Sequence, residues 1–198
     1  MKDRETAVKL LSALMCFYVG AAAIAVVDGL FYNDNWLSWV QHGMTAGITL
    51  CLFFLGRENR LCCWAAIFRA VLLVFNLTNA YLFGLLRGHL WMIYMVRAAV
   101  FGVSYAAVIL EVLAYSKIDP SHRKGWITLL IANIIWGISG GSLNYLVLQQ
   151  TGGIVGEETA EFLRILSKVE YLVNTVFQLL YICFLYRTMK VVKAKENT

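Results

Sequence analysis

The sequence lacks the polar stretches from which a soluble domain could be built. It contains a single proline in 198 residues, and charged residues make up only 15% of the chain. The longest connection between apolar stretches, at about 150–160, is too short to bury a core of its own. We therefore expect none of these connections to form a folded domain outside a membrane.

The common motifs of soluble enzymes are missing as well. The chain has no HExxH metal motif, no P-loop and no dinucleotide-binding fingerprint. Its five cysteines are not spaced for a zinc site or a disulfide framework. Its three histidines do not supply paired haem ligands within a membrane. We therefore expect no cofactor and no metal.

Apolar residues, in contrast, make up 60% of the chain. A soluble domain of this size could not keep so much apolar surface from water, whereas a bilayer solvates it. Six apolar stretches are each long enough to cross roughly 30 Å of hydrocarbon at about 1.5 Å per residue. We predict an all-α integral membrane protein, one six-helix transmembrane domain over 1–198, with spans at about 8–32, 36–56, 61–86, 91–115, 125–149 and 161–187.

The positions of the basic residues predict the orientation of these spans. Cations precede span 1, follow span 6, and lie between spans 2 and 3 and between spans 4 and 5, whereas the opposite connections offer little beyond Arg87. By the positive-inside rule both termini should be cytoplasmic, and we expect a prokaryotic cytoplasmic membrane. The net charge of +5 then reflects topology and attraction to the lipid bilayer, not a nucleic-acid partner. The cations are Lys2, Arg4, Lys9, Arg57, Arg60, Lys117, Arg123, Lys124, Arg187, Lys190, Lys193 and Lys195.

Tryptophans mark the expected membrane surfaces. Trp36, Trp39, Trp64, Trp91 and Trp126 fall at predicted helix ends, where an aromatic belt would place them. Only one tryptophan, in span 5, lies in the middle of a helix.

Charged side chains inside the spans indicate a polar interior. Arg69, Arg97, Glu111 and Glu170 each lie several residues inside a span and share a helix face with other polar side chains at about 100° per residue. Hydrogen bonds between helices would explain a lone serine or threonine, and one or two buried ion pairs could be structural, but these roles explain four charges inside the spans less well than a polar cavity does. We predict a polar cavity at the centre of the bundle. Spans 3 and 4 should be antiparallel neighbours, so Arg69 and Glu111 should form a structural ion pair in the cytoplasmic half.

The outer half of the bundle is the predicted substrate-binding site. Arg87 and Arg97 would fix an anionic or zwitterionic small molecule, because a guanidinium binds carboxylate and phosphate oxygens well. Hydrogen bonds to the solute would come from amides, and Glu170 with His42 would provide charge or proton coupling. The predicted site comprises His42, Asn76, Arg87, Arg97, Asn144, Glu170 and Asn174.

The segment "GISGG" raises the alternative of a serine nucleophile. Gly137, Ser139 and Gly141 have the G-x-S-x-G spacing of a hydrolase, and Gly137 to Gly140 resembles the GxSG motif of rhomboid proteases, which are also six-helix membrane proteins. That resemblance implies a catalytic serine with a histidine base on a later helix. This chain departs from it, because it has no histidine beyond His122. The glycines instead favour close packing of helices or contact with a solute.

Three functions are compatible with these features. The first is a small-solute transporter, or the substrate-binding membrane subunit of one. In size, helix number and the Ala21/Ala25 pair the chain resembles the substrate-binding components of energy-coupling-factor vitamin transporters, which implies an ATPase partner. The second is an intramembrane enzyme acting on a lipid or peptide, with His42, Glu111 or Glu170 as acid or base. The third is a homo-oligomeric channel, or an assembly or sensor protein.

Overall fold

Long helices account for nearly all of the structure. The computed structural model describes residues 4–31, 35–86, 89–150 and 157–194, and no strand occurs within those ranges. The prediction of an all-α protein is confirmed. A short 3₁₀ helix, Pro120–His122, connects the fourth and fifth helices. The six long helices are α1 (Arg4–Phe31), α2 (Asn35–Leu55), α3 (Arg60–Leu85), α4 (Leu90–Ile118), α5 (Arg123–Gln150) and α6 (Glu157–Ala194).

Four of these helices have the length and composition of membrane spans. They contribute the segments Glu5–Val27, Arg60–Asn79, Trp91–Ile118 and Leu172–Ala194. Helices that are apolar over such lengths are typical of an integral membrane protein. In α2 the apolar sequence is interrupted by Gln41 and His42. That the second and fifth predicted spans also cross the membrane stays a prediction.

The helices pack as a ring in chain order. Each of the first five contacts the next, and α6 returns to pack against α1, which closes the ring. Contacts of α6 with α4 and α5 complete the bundle. A ring of helices leaves space at its axis, and side chains decide whether that space is filled.

The tightly packed core occupies one end of the ring. Buried side chains concentrate at the end that carries the α2–α3 and α4–α5 connections. At this end the apolar residues of all six helices interlock, whereas the described side chains at the other end include few buried ones. The buried side chains include Leu11, Leu14, Leu52, Leu55, Cys62, Ala65, Val112, Trp126, Leu129, Leu185 and Val192.

Trp126 corrects one sequence-based prediction. Trp36, Trp39, Trp64 and Trp91 are exposed, but Trp126 is 0% exposed, so it does not belong to a surface belt. Its indole Nε1 donates to the Thr188 hydroxyl of α6 at 3.3 Å. A position near a helix end predicts the membrane surface, but at this end of the ring the helix end lies in the core.

The connection between α4 and α5 is fixed by a buried carboxylate. Asp119 is 0% exposed; its Oδ1 accepts from the Ser121 hydroxyl, and its Oδ2 lies 2.7 Å from His122 Nδ1. Burial raises the pKa of Asp119, but the hydrogen bonds from Ser121 and His122 outweigh burial and hold the pKa below its usual value. The carboxylate therefore stabilises the turn in its ionised form.

Gly47 permits the close approach of α1 and α2. A Cβ added at Gly47 would lie 2.5 Å from the Phe17 ring of α1, well inside van der Waals contact. One turn earlier, a Cβ at Gly43 would meet nothing within 4 Å. The two glycines share a helix, but packing requires a glycine only at position 47.

Gly47→Ala should therefore destabilise the protein by about 1–3 kcal/mol, because the added methyl group overpacks the α1–α2 contact. Gly43→Ala should leave the thermal midpoint unchanged or raise it, since alanine favours a helix over glycine. Thermal unfolding of both variants in detergent checks this. Equal effects at the two positions would contradict it.

Asp119→Asn should lower stability at neutral pH by about 1.5–3 kcal/mol, the usual worth of hydrogen bonds to a charged group. Because the folded-state pKa is depressed, this contribution is present above the unfolded-state pKa of about 3.9 and is lost as pH falls through the folded-state value. The difference in Tm between wild type and variant should therefore narrow below about pH 4. Tm measured from pH 3 to 7 tests this, and a difference independent of pH would refute it.

Candidate site: a central polar cavity

A cavity lies at the axis of the ring and is lined by all six helices. Its volume is about 370 Å³, near the lower end of the roughly 300–1,000 Å³ typical of small-molecule sites. Polar and apolar side chains contribute to its wall in comparable numbers. The lining residues are Tyr18 and Ala21 of α1, Gln41, Thr45 and Ile48 of α2, Arg69 of α3, Val108 and Val112 of α4, Leu129, Leu130 and Asn133 of α5, and Asn174, Phe177, Gln178 and Tyr181 of α6.

Beside the cavity, Glu111 is the centre of a hydrogen-bond network, hereafter the Glu111 network. Arg69 Nε donates to Glu111 Oε1. The hydroxyls of Tyr18 and Tyr181 each donate to Oε2 at 2.5 Å. Arg69 Nη2 also donates to the Tyr18 hydroxyl at 2.7 Å, and its guanidinium lies 5.5 Å from the centre of the Tyr18 ring.

These contacts explain how a carboxylate can lie inside an apolar bundle. Glu111 is 0% exposed, so its charge has lost the water that would otherwise solvate it. Three hydrogen-bond donors replace that water, and one of them, Arg69, also carries the opposite charge. The Arg69 side chain remains 17% exposed. The network joins α1, α3, α4 and α6 at a single point.

Aromatic rings pack against one another beside the network, toward the tightly packed end of the ring of helices. Tyr181 lies 5.0 Å from Tyr18 and 5.2 Å from Trp126, measured between ring centroids. Trp126 also contacts the rings of Tyr115 and Phe184, each at 5.3 Å. The Tyr115 hydroxyl is buried without a hydrogen-bond partner in the described part of the chain.

Above the network the wall carries uncharged polar groups. Four amides line the cavity, together with the Thr45 hydroxyl. Each amide offers both a donor and an acceptor. Thr45 Oγ1 donates to the carbonyl of Gln41 in its own helix, at 3.0 Å. The amides are Gln41, Asn133, Asn174 and Gln178.

A second cavity, of about 310 Å³, lies between α2 and α3. Gln41 and Thr45 line both cavities, so the two share one wall. The His42 ring lies there, with Nδ1 2.5 Å from the carbonyl oxygen of Ser38. That contact assigns the proton to Nδ1, because only an N–H can donate to a carbonyl. The lining residues are Ser38, Gln41, His42, Thr45, Leu73, Asn76 and Asn79.

The structure distributes the predicted substrate-binding residues over different places. Asn174 lines the central cavity, whereas His42 and Asn76 line the second one. Arg97 is exposed, lies 5.4 Å from the Phe83 ring, and is not among the described residues lining either cavity. Arg87 lies outside the described residues, and so do the side chains of Asn144 and Glu170. Arg69 and Glu111, predicted to pair, are in contact.

Several lining residues were not in the predicted site. Tyr18 and Gln41 gave no signal, because a tyrosine or glutamine in an apolar helix can equally face a membrane surface. Asn174, Gln178 and Tyr181 recur at spacings of three and four, which places them on one face of α6. That pattern was sufficient to find Gln178 and Tyr181 beside Asn174.

The "GISGG" segment has a structural explanation. Ser139 is exposed, and its hydroxyl donates to the carbonyl of Ile135 in its own helix at 2.8 Å. Within the described part of the chain, the Ser139 hydroxyl forms no hydrogen bond with a histidine. A Cβ at Gly137 would overlap the Tyr105 hydroxyl of α4, so this glycine makes room for a neighbouring side chain.

No known protein family, curated protein or solved structure matches the chain.

Glu111→Gln should destabilise the protein by about 3–5 kcal/mol, because it leaves the Arg69 charge without its counter-ion. The double variant Arg69→Gln/Glu111→Gln should recover part of that loss, since neither charge remains. Thermal or denaturant unfolding of the single and double variants measures the coupling.

The exposed pair Glu5–Lys9 is the matched control for this measurement. Its atoms are 2.6 Å apart, but the side chains are 68% and 74% exposed. Glu5→Gln should change stability by less than about 1 kcal/mol. If Glu111→Gln were as mild as Glu5→Gln, the Glu111 network would not have the role assigned to it.

Proposed function

We propose that this protein is a small-solute membrane transporter, or the substrate-binding membrane subunit of a larger transporter, and that its solute occupies the central cavity. The observation that carries the proposal is a cavity lined by all six helices with amides from α2, α5 and α6. Packing alone would favour apolar side chains at these positions, because a polar group in a bundle needs a partner. A bound solute supplies that partner.

The proposed topology has six spans, with both termini in the cytoplasm. The distribution of lysine and arginine between the two sets of connections supports it. With this orientation, the tightly packed end of the ring faces the cytoplasm and the cavity opens toward the outer side. The Glu111 network then lies at the inner end of the solute site.

In this proposal the Glu111 network forms part of the inner closure. Alternating access requires one set of helices to move relative to another around the solute site. Opening toward the cytoplasm would separate α1 and α6 from α4, which breaks the bonds from Tyr18 and Tyr181 to Glu111. Arg69 keeps the carboxylate paired during that movement. The chain carries no nucleotide-binding motif, so energy would come from an ion gradient or a partner subunit.

The proposal can be tested with two neighbouring alanines of α1. Ala21 lines the central cavity, whereas Ala23 is exposed on the same helix. Purified protein is incubated with a small-molecule extract of the cells that express it, and retained molecules are identified by mass spectrometry. Uptake of the identified molecule by those cells is then measured. Ala21→Leu, which fills part of the cavity, should abolish retention and uptake, and Ala23→Leu should affect neither.

Ser139→Ala separates transport from hydrolysis in the same experiment. Because the Ser139 hydroxyl bonds to its own helix, its removal should leave retention and uptake unchanged. A serine hydrolase would instead convert the molecule that the wild type binds, and Ser139→Ala would retain that molecule without converting it, which would point to the serine-enzyme alternative. Failure of the wild-type protein to retain or import any molecule would reject the transport proposal and favour a scaffold or channel.

A further inference from the structure

The charge on the cavity wall is already balanced. Among the described residues that line the central cavity, Arg69 is the one with a cationic side chain, and no carboxylate lines it. The Arg69 charge is matched by Glu111, which lies buried behind the wall. A solute with a net charge would add an unpaired charge to an apolar bundle, where desolvation is costly. The wall therefore favours a solute without net charge.

Amides are the most frequent hydrogen-bonding groups among the described residues of the wall. Gln41, Asn133, Asn174 and Gln178 each present a carbonyl acceptor and an NH₂ donor. Arg69 uses Nε and Nη2 for its contacts with Glu111 and Tyr18, so Nη1 can donate to a neutral carbonyl oxygen. An amide or lactam, which has a donor beside an acceptor, matches these groups.

The remaining wall is apolar and partly aromatic. Phe177 of α6 lies one position before Gln178, and Leu129 and Leu130 of α5 precede Asn133 by about one turn. Val108 and Val112 of α4, Ala21 of α1 and Ile48 of α2 are also part of this surface. Side chains of this type pack well against a ring or a short hydrocarbon chain of a solute. The cavity volume of about 370 Å³ limits the size of that solute.

We infer that the solute is a small uncharged molecule with an aromatic or apolar body and an amide- or lactam-type edge. This inference rests on the proposed function and narrows it. It differs from the anionic or zwitterionic solute expected from Arg87 and Arg97: Arg97 is not among the described lining residues, and Arg87 lies outside the described part of the chain.

Matched pairs of amide and carboxylate test the inference directly. Nicotinamide and nicotinate share one ring, as do benzamide and benzoate, and at pH 7 only the carboxylates are charged. Uracil provides a lactam. Each is added at millimolar concentration to the full-length protein in detergent, and binding is measured by equilibrium dialysis and by the shift in Tm. We expect the uncharged molecules to bind and to raise Tm, and the carboxylates to do neither.

Variants of one lining residue locate the binding. Gln178→Leu removes the amide and should weaken binding of the uncharged probe roughly ten- to hundredfold, the usual effect of leaving a polar group unpaired. Gln178→Glu keeps the shape and adds a charge, and should weaken it as well. Thr78→Val is the control, because Thr78 is exposed on α3 and its hydroxyl bonds to the carbonyl of Val74 in its own helix.

Two results would overturn the inference. One is binding of a carboxylate as tightly as its amide; the other is binding of none of the uncharged probes. Either is distinguishable from failure of the proposed function. If cells expressing the protein import a charged molecule that it also retains, the solute class is wrong but transport stands. If wild-type protein retains and imports nothing, the proposed function itself fails.

Discussion

The structure depends on one buried negative charge. Glu111 is fully buried, and its carboxylate is stable there only while donors from three other helices reach it. The positions of α1, α3 and α6 relative to α4 are therefore coupled. Buried ion pairs seldom stabilise a fold more than well-packed apolar side chains would. The value of this one lies in its geometry, since it fixes four helices around a common point and places polar atoms at the base of a cavity.

The two ends of the ring differ in the way their helices are held. At one end the helices interlock through leucine, alanine and aromatic side chains, supplemented by the Trp126–Thr188 hydrogen bond and the buried Asp119 in the α4–α5 turn. Toward the other end, amides together with aliphatic and aromatic side chains line a space that the protein does not fill. An asymmetric bundle of this kind can hold its shape at the packed end while the cavity end adapts to a solute.

Much of the fold follows from composition, and part of the site follows from spacing. The abundance of apolar residues and the regular length of the stretches predict long helices, and the seven-residue repeat of Arg97, Ser104 and Glu111 marks a face of α4. The two ends of that face meet different neighbours: Glu111 reaches Arg69, whereas Arg97 lies against the Phe83 ring. Periodicity assigns a residue to a face, but the lateral packing of six helices decides what that face meets. Tyr18 and Gln41 could not be found for the same reason.

Two side chains of α2 belong to both cavities, which links the two spaces. Gln41 and Thr45 line each of them, and the Thr45 hydroxyl is fixed by its own helix, so Gln41 is the adjustable one of the two. A glutamine side chain turns about three bonds, and such rotations take nanoseconds or less at an exposed position. A rotation that turns the Gln41 amide toward one cavity removes it from the other. The hydrogen-bonding groups available in the two spaces are therefore coupled through one side chain, with no helix required to move.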